Sequence, residues 1–138
     1  MHTVDFILVD GQRVKVELFT PEGQANKQAV LFLHGWTGKP NTRAAKVLAE
    51  NGYTALTVVL RGHPGSDGEM STITRQNALD DAISAYDYLK SKIPNGVPIC
   101  VTGSSYGGYT AAILSSKREL NGLSLRVAAN YPDEGFEL

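Results

Sequence analysis

The sequence predicts an α/β protein: one domain of 138 residues built on a mostly parallel sheet of about six strands, with helices on both faces. Three observations predict it. Apolar runs of strand length alternate with helix-period segments along most of the chain, and such alternation with short links means a largely parallel sheet. The run Ala29–Leu33 is continuously apolar rather than alternating, as expected of a strand covered on both faces. Only the first two strands flank a tight Asp10-Gly11 pair, the signal of an antiparallel hairpin.

Residues 4–9 and 13–19 are the hairpin strands, and Val14, Val16 and Leu18 share one face of the second. Thr20-Pro21-Glu22-Gly23 turns the chain into strand 29–33, which ends at His34-Gly35-Trp36-Thr37-Gly38. Residues 41–51 form a helix capped by Asn41 or Thr42, with Ala45, Leu48 and Ala49 inward and Asn51-Gly52 as its stop. Strand Tyr53–Leu60 runs into Arg61-Gly62-His63-Pro64-Gly65-Ser66-Asp67-Gly68, which is loop. A second helix spans 74–91, with Ala78, Ala82, Ala85, Tyr86 and Leu89 facing in and Asp80, Asp81, Asp87 and Lys90 facing water. After Pro94-Asn95-Gly96 come a strand from Ile99, a helix to about Lys117, and a last strand over Ser124–Asn130.

Thirteen basic and fourteen acidic side chains leave a formal charge of −1 with no basic run, which argues against nucleic acid or an anionic membrane as main partner. Met1-His2-Thr3-Val4-Asp5 carries no secretory leader pattern, and no apolar run reaches membrane-spanning length. The single cysteine, Cys100, reads as a packed, inert thiol in a strand, and the cytoplasm is the expected compartment. Three scattered histidines and one cysteine offer no metal-ligand spacing, so neither metal nor cofactor is expected. Phosphate-cradling glycine motifs are missing as well.

The chain is organised around residues 99–112, Ile-Cys-Val-Thr-Gly-Ser-Ser-Tyr-Gly-Gly-Tyr-Thr-Ala-Ala. An apolar run breaks at Gly103, turns sharply, and continues as a small-residue helix. Within the turn lies Gly-x-Ser-x-Gly centred on Ser105. A strand reversing this tightly into a helix leaves no room for side chains at Gly103 and Gly107 and forces Ser105 into a strained backbone. The strain lifts the hydroxyl clear of the sheet, beside the N–H groups of the helix start. Those are the needs of a serine nucleophile.

Ligands gather at the carboxyl ends of strands in an open sheet, and three loops leave those ends with unusual residues: 34–38, 61–68 and 103–108. With His34-Gly35-Trp36, Arg61-Gly62-His63-x-Gly-Ser66 and Gly103-Ser104-Ser105-Tyr106-Gly107-Gly108 in that order and spacing, the chain resembles the α/β-hydrolase family. The turn with Tyr106-Gly107-Gly108-Tyr109 looks most like its prolyl-oligopeptidase-related and small esterase branches. The resemblance implies Ser105 as nucleophile, with an oxyanion hole of the Tyr106 and Trp36 backbone N–H groups. It also puts both residues at the substrate, Trp36 bordering the acyl or alcohol pocket.

The family supplies its acid and histidine after the serine, yet here no histidine follows Ser105. The resemblance therefore reads as the N-terminal part of such a hydrolase. His63, on a neighbouring loop, is a candidate base, although the family keeps a histidine there without using it so. His34 is expected to brace the oxyanion loop. Asp133, with Glu134, is the candidate acid, set against its plainer reading as a solvated turn. A sheet ending at the sixth strand (Leu123–Asn130) exposes an edge, so a homodimer or larger assembly is expected.

Function follows as an expectation: a serine hydrolase cleaving small, short-chain carboxylic esters through an acyl-enzyme on Ser105, with weak turnover while the usual acid and histidine are missing. One alternative is an inactive hydrolase-fold scaffold. Another is a peptidase of the prolyl-oligopeptidase type, disfavoured because an amide leaving group needs a competent general acid.

Overall fold

Strands β1 (His2–Val9) and β2 (Gln12–Phe19) form the hairpin, followed by β3 (Ala29–Leu33), α1 (Thr42–Glu50), β4 (Thr54–Val58), α2 (Arg75–Lys92), β5 (Ile99–Ser104), α3 (Tyr106–Leu114) and β6 (Gly122–Arg126). These come from a computed structural model, which describes residues 1–23 and 27–128. One six-stranded sheet runs in the order β1-β2-β4-β3-β5-β6. Its first two pairings are antiparallel and the rest parallel. The predicted α/β class and the mostly parallel sheet are what the structure has. Asp10 and Gly11 close the hairpin with φ of 52° and 75°, the left-handed pair that matches strand twist.

The core lies between the sheet and the α2–α3 layer. Leu31, Leu56 and Val101 on neighbouring strands are fully buried against Ala82, Ala85, Leu89, Ala111 and Leu114. Helix α1 covers the opposite face, where Ala45 and Ala49 pack on Phe19 and Ala55. A capping box fixes the start of α2: Thr74 Oγ1 accepts from the Asn77 N–H and Asn77 Oδ1 from the Thr74 N–H, each at 3.1 Å. Among the described residues no helix is long and apolar enough to cross a membrane.

Three expectations need correction. Asp81 does not face water; it is buried, for a reason given below. Helix α3 stops at Leu114, because Ser116 and Lys117 N–H groups bond the carbonyls of Ile113 and Leu114, tightening the chain out of the α-helix. Strand β6 begins at Gly122 rather than Ser124 and ends at Arg126, since Val127 turns to φ 48° and leaves the extended region. Residues 129–130 of the expected strand lie outside the described residues.

Candidate active site

Ser105 is the hinge between β5 and α3. Its φ of 52° and ψ of −117° place it in a region that L-residues avoid, and two flanking hydrogen bonds hold it there. Its N–H donates to Arg126 O at 2.9 Å, and its carbonyl accepts the Tyr109 N–H at 3.1 Å. The side chain is exposed while Tyr106, Gly107 and Gly108 after it are buried. The glycines act through space. A Cβ on Gly103 would overlap Gly107 O, one on Gly107 would overlap Leu33 O, and one on Gly108 would stand 2.8 Å from Ala128 Cβ. Strand and helix approach so closely that only hydrogen fits between them.

The loop after β3 lies against this turn. A Cβ on Gly35 would stand 3.4 Å from Ser104 O and 3.5 Å from Ser105 Cβ. Two histidines set the loop's shape. The Leu60 N–H donates to His34 Nε2 at 3.0 Å, so Nδ1 carries the ring proton and donates to Gly35 O at 2.8 Å. Burial, assisted by the neighbouring His63, pushes the His34 imidazole down to about 4, against the pull of the Gly35 carbonyl; it is neutral at pH 7. His63 repeats the device in reverse. Its Nε2 accepts the Thr37 N–H at 3.0 Å, and its Nδ1 faces the carbonyls of Leu60 and Arg61 at 3.2 and 3.3 Å. The two rings meet edge-on, 4.6 Å between centroids. Trp36 continues the row, 5.3 Å from His63 and 5.4 Å from the Tyr106 ring.

The loop after β4 is anchored through Arg61. Its N–H and Nε reach the two carboxylate oxygens of Asp81 at 2.7 and 2.8 Å. Nη2 adds Asp10 at 3.1 Å and the Asn77 carbonyl at 3.2 Å. Burial pushes the Asp81 carboxyl up to about 6, and the Arg61 contacts only partly pull it back. Further along, Ser66 and Asp67 dock the loop on β2. The Lys15 N–H donates to Ser66 Oγ and the Arg13 N–H to Asp67 Oδ2, both at 2.8 Å. These side chains are scaffold rather than chemistry.

Of the residues singled out from sequence, the structure brings Ser105, Trp36, Tyr106 and His63 into one neighbourhood. Both His63 nitrogens face main-chain groups, which gives it the bracing geometry of His34 rather than that of a base aimed at Ser105. Asp133 and Glu134 lie outside the described residues. Among the described residues no group of three His, Cys, Asp or Glu could hold a metal ion. A surface cavity of about 830 Å³, bounded in part by Phe19, Lys46 and Asn51, involves none of the three loops.

Residues 10–128 match the model of the X-Pro dipeptidyl-peptidase (S15) family. The chain belongs to that family. A curated relative, an uncharacterized protein of Rickettsia prowazekii (strain Madrid E), is 35% identical over 104 aligned positions, in a match that covers 70% of this chain and 43% of that protein. The fold is shared with α/β-hydrolases of known structure. Est1E of Butyrivibrio proteoclasticus, with ferulic acid bound, superposes with a TM-score of 0.74 at 24% identity, over 86% of this chain and 50% of its own. A lidless α/β serine hydrolase from Xanthomonas campestris gives 0.75 at 18% identity, covering 96% and 66%. A thermostable carboxyl esterase from Bacillus coagulans gives 0.75 at 17%, covering 90% and 43%. This S15-family chain thus has a hydrolase fold and spans about half the length of the relatives it matches.

Sequence reasoning missed the Arg61–Asp81 anchor. One signal was present: Asp81 falls three residues after Ala78 and four before Ala85, on the apolar stripe itself.

Proposed function

We propose that this S15-family chain carries the nucleophile and the oxyanion-binding groups of a serine hydrolase acting on small, short-chain carboxylic esters. The observation that carries this reading is Ser105, exposed at φ 52° between a buried strand and a helix N-terminus, with the Gly35–Trp36 loop packed against it. In this reading Ser105 Oγ attacks the acyl carbonyl, the C–O bond of the ester breaks, and the alcohol leaves with the serine's proton. Water then cleaves the acyl-enzyme. The backbone N–H groups of Trp36 and Tyr106 receive the oxyanion, and two such donors each contribute about 3 kcal/mol to the tetrahedral intermediate. Helix α3 adds the positive end of its dipole.

His63 and His34 serve here as positioning residues. Each holds one main-chain N–H and faces carbonyl oxygen with its other nitrogen. The base of this reading is a group outside the 34–38 and 61–68 loops or, at low rate, solvent. An oxyanion hole with substrate binding alone leaves roughly 10³–10⁴-fold acceleration over water. Composition and the single cysteine keep the cytoplasm as the compartment of this reading.

The family description favours a second reading, cleavage of X-Pro dipeptides from peptides. Amide cleavage must protonate an amine leaving group, a demand that His34 and His63, with both ring nitrogens facing main-chain groups, do not meet. One experiment separates the readings. Hydrolysis of p-nitrophenyl acetate and of Gly-Pro-p-nitroanilide is measured for the protein and for Ser105→Ala. Ester turnover that the variant loses supports the proposal, and anilide turnover exceeding it supports the peptidase. No Ser105-dependent turnover of either leaves a hydrolase-fold scaffold.

A further inference from the structure

Among the described residues, four that are not glycine adopt a positive φ: Asp10, Thr37, Ser105 and Val127. Asp10 belongs to the hairpin turn, Ser105 is the candidate nucleophile, and Val127 follows β6. Thr37, at φ 59°, is the remaining one, and it lies in the loop packed against Ser105. A β-branched side chain is poorly suited to this region. The left-handed backbone already brings Cβ against the carbonyl oxygen, and branching widens the side chain there.

Residues Gly35–Gly38 form a turn closed by the Gly38 N–H on Gly35 O at 2.8 Å, with Thr37 third in it. Glycine or asparagine costs least at that position when its φ is positive. The turn is nevertheless firmly held. Gly35 O also accepts His34 Nδ1–H at 2.8 Å, so the Gly35–Trp36 peptide has its carbonyl fixed by two donors. In a trans peptide this aims the Trp36 N–H the other way. The Thr37 N–H donates to His63 Nε2 at 3.0 Å, which pins the next peptide. Glycine at position 37 would make the same main-chain bonds.

The threonine side chain does nothing comparable for the fold. Thr37 is exposed, and no hydrogen bond within the described residues involves its hydroxyl. Local strain without a local return is characteristic of residues that serve a ligand. Gly35, two residues earlier, would carry a Cβ 3.5 Å from Ser105 Cβ, and the ends of such a turn lie within about 7 Å of each other. Thr37 is therefore within reach of a small group bonded at Ser105.

We propose that Thr37 is a specificity-determining residue of this site, its hydroxyl hydrogen-bonding an oxygen on the carbon next to the scissile carbonyl of the acyl group. This rests on the reading of Ser105 as nucleophile. With the carbonyl oxygen on the Trp36 and Tyr106 N–H groups, the atoms beside it face residue 37. The alcohol departs toward the base, which lies outside the 34–38 and 61–68 loops, so the acyl side is the one nearer Thr37. A hydroxyl is donor and acceptor at once. It suits hydroxy-, alkoxy- and keto-acyl groups and gives nothing to a plain alkyl chain.

p-Nitrophenyl methoxyacetate and p-nitrophenyl butyrate differ by one oxygen in place of one methylene. The ratio of their kcat/KM values, each divided by the uncatalysed rate of that ester, reads the preference. The protein should favour methoxyacetate about fivefold or more, the worth of one hydrogen bond. Thr37→Ser should keep the preference. Thr37→Val, matched in shape but without the hydroxyl, should bring the ratio close to one. Thr37→Gly should lose the preference as well and raise the thermal midpoint by about 4 °C as the strain is relieved. A wild-type ratio near one overturns the proposal, and so does a preference unchanged in Thr37→Val. A lower midpoint for Thr37→Gly removes the strain on which it stands. The preference is also read without turnover in Ser105→Ala, by titrating methyl methoxyacetate and methyl butyrate against the fluorescence of Trp36, the single tryptophan. Tighter methoxyacetate binding that Thr37→Val abolishes, with no Ser105-dependent turnover, upholds Thr37 and refutes the reading of Ser105 as nucleophile. Equal binding of the two esters, again with no turnover, overturns Thr37 too.

Discussion

Asp81 and His34 titrate in the same acid range with opposite effects on stability, and removing Asp81 should uncover His34. His34 has its imidazole pushed from 6.5 to about 4 by burial. Between those values the unfolded chain binds the extra proton and the folded one does not. Stability from His34 therefore rises as pH increases from 4 to 6.5, by about 3 kcal/mol for a shift of about 2.5 units. Asp81, raised from 3.8 to about 6 by burial, does the reverse. There the folded chain holds the proton longer, so its term falls by about 3 kcal/mol as pH rises through the same window. In the wild type the two nearly cancel. In Asp81→Asn, which keeps a side-chain acceptor for Arg61, only the His34 rise is left. Urea unfolding followed through Trp36, the single tryptophan, checks this at pH 4.5, 5.5, 6.5 and 7.5. From pH 4.5 to 6.5, which covers most but not all of the Asp81 window, the stability of Asp81→Asn should climb about 2 kcal/mol more than that of the wild type. Other titrating groups are common to both proteins and drop out of the difference. Parallel curves would refute the reasoning.

Ser105→Gly relieves the positive φ and should raise stability by about 1 kcal/mol while abolishing fluorophosphonate labelling; a less stable variant removes the strain argument. Gly107→Ala drives a methyl into Leu33 O and should cost more than about 3 kcal/mol or prevent folding, visible as loss of the cooperative thermal transition. His63→Ala leaves the Thr37 N–H without its acceptor and loosens the Trp36 loop. It should lower kcat at least tenfold with less than a threefold change in KM for p-nitrophenyl acetate, and an unchanged kcat would detach the loop from the chemistry.

What the sequence made legible was local and steric. The Asp10-Gly11 turn, the alternation of strand and helix, and the crowding at Gly103 and Gly107 depend on a few adjacent residues, and the structure has each of them. The Arg61–Asp81 pair was not legible. Helical periodicity assigns a charge to solvent unless its partner is known, and that partner lies 20 residues upstream, on the loop after β4. The limits of β6 were misplaced for a related reason. Apolar content suggested 124–130, whereas pairing sets the start. Gly122 lies beside Cys100 of β5, where a Cβ would come within 2.5 Å of Cys100 Sγ, so only glycine opens the strand there.

The two histidines show why residue type alone could not assign the base. A general base near a serine needs an acceptor nitrogen that is aimed at the hydroxyl and basic enough to take its proton. In His34 the acceptor nitrogen is committed to Leu60, and burial has removed most of its basicity. In His63 the acceptor nitrogen holds Thr37, the residue after Trp36. Releasing either ring for proton transfer would leave a loop N–H without its acceptor, at a cost of about 1–3 kcal/mol, and would disturb the loop that is to receive the oxyanion. The same bonds that shape the Trp36 loop thus argue against these imidazoles as the base for Ser105. On the reading of Ser105 as nucleophile, an imidazole that serves it comes from outside the 34–38 and 61–68 loops.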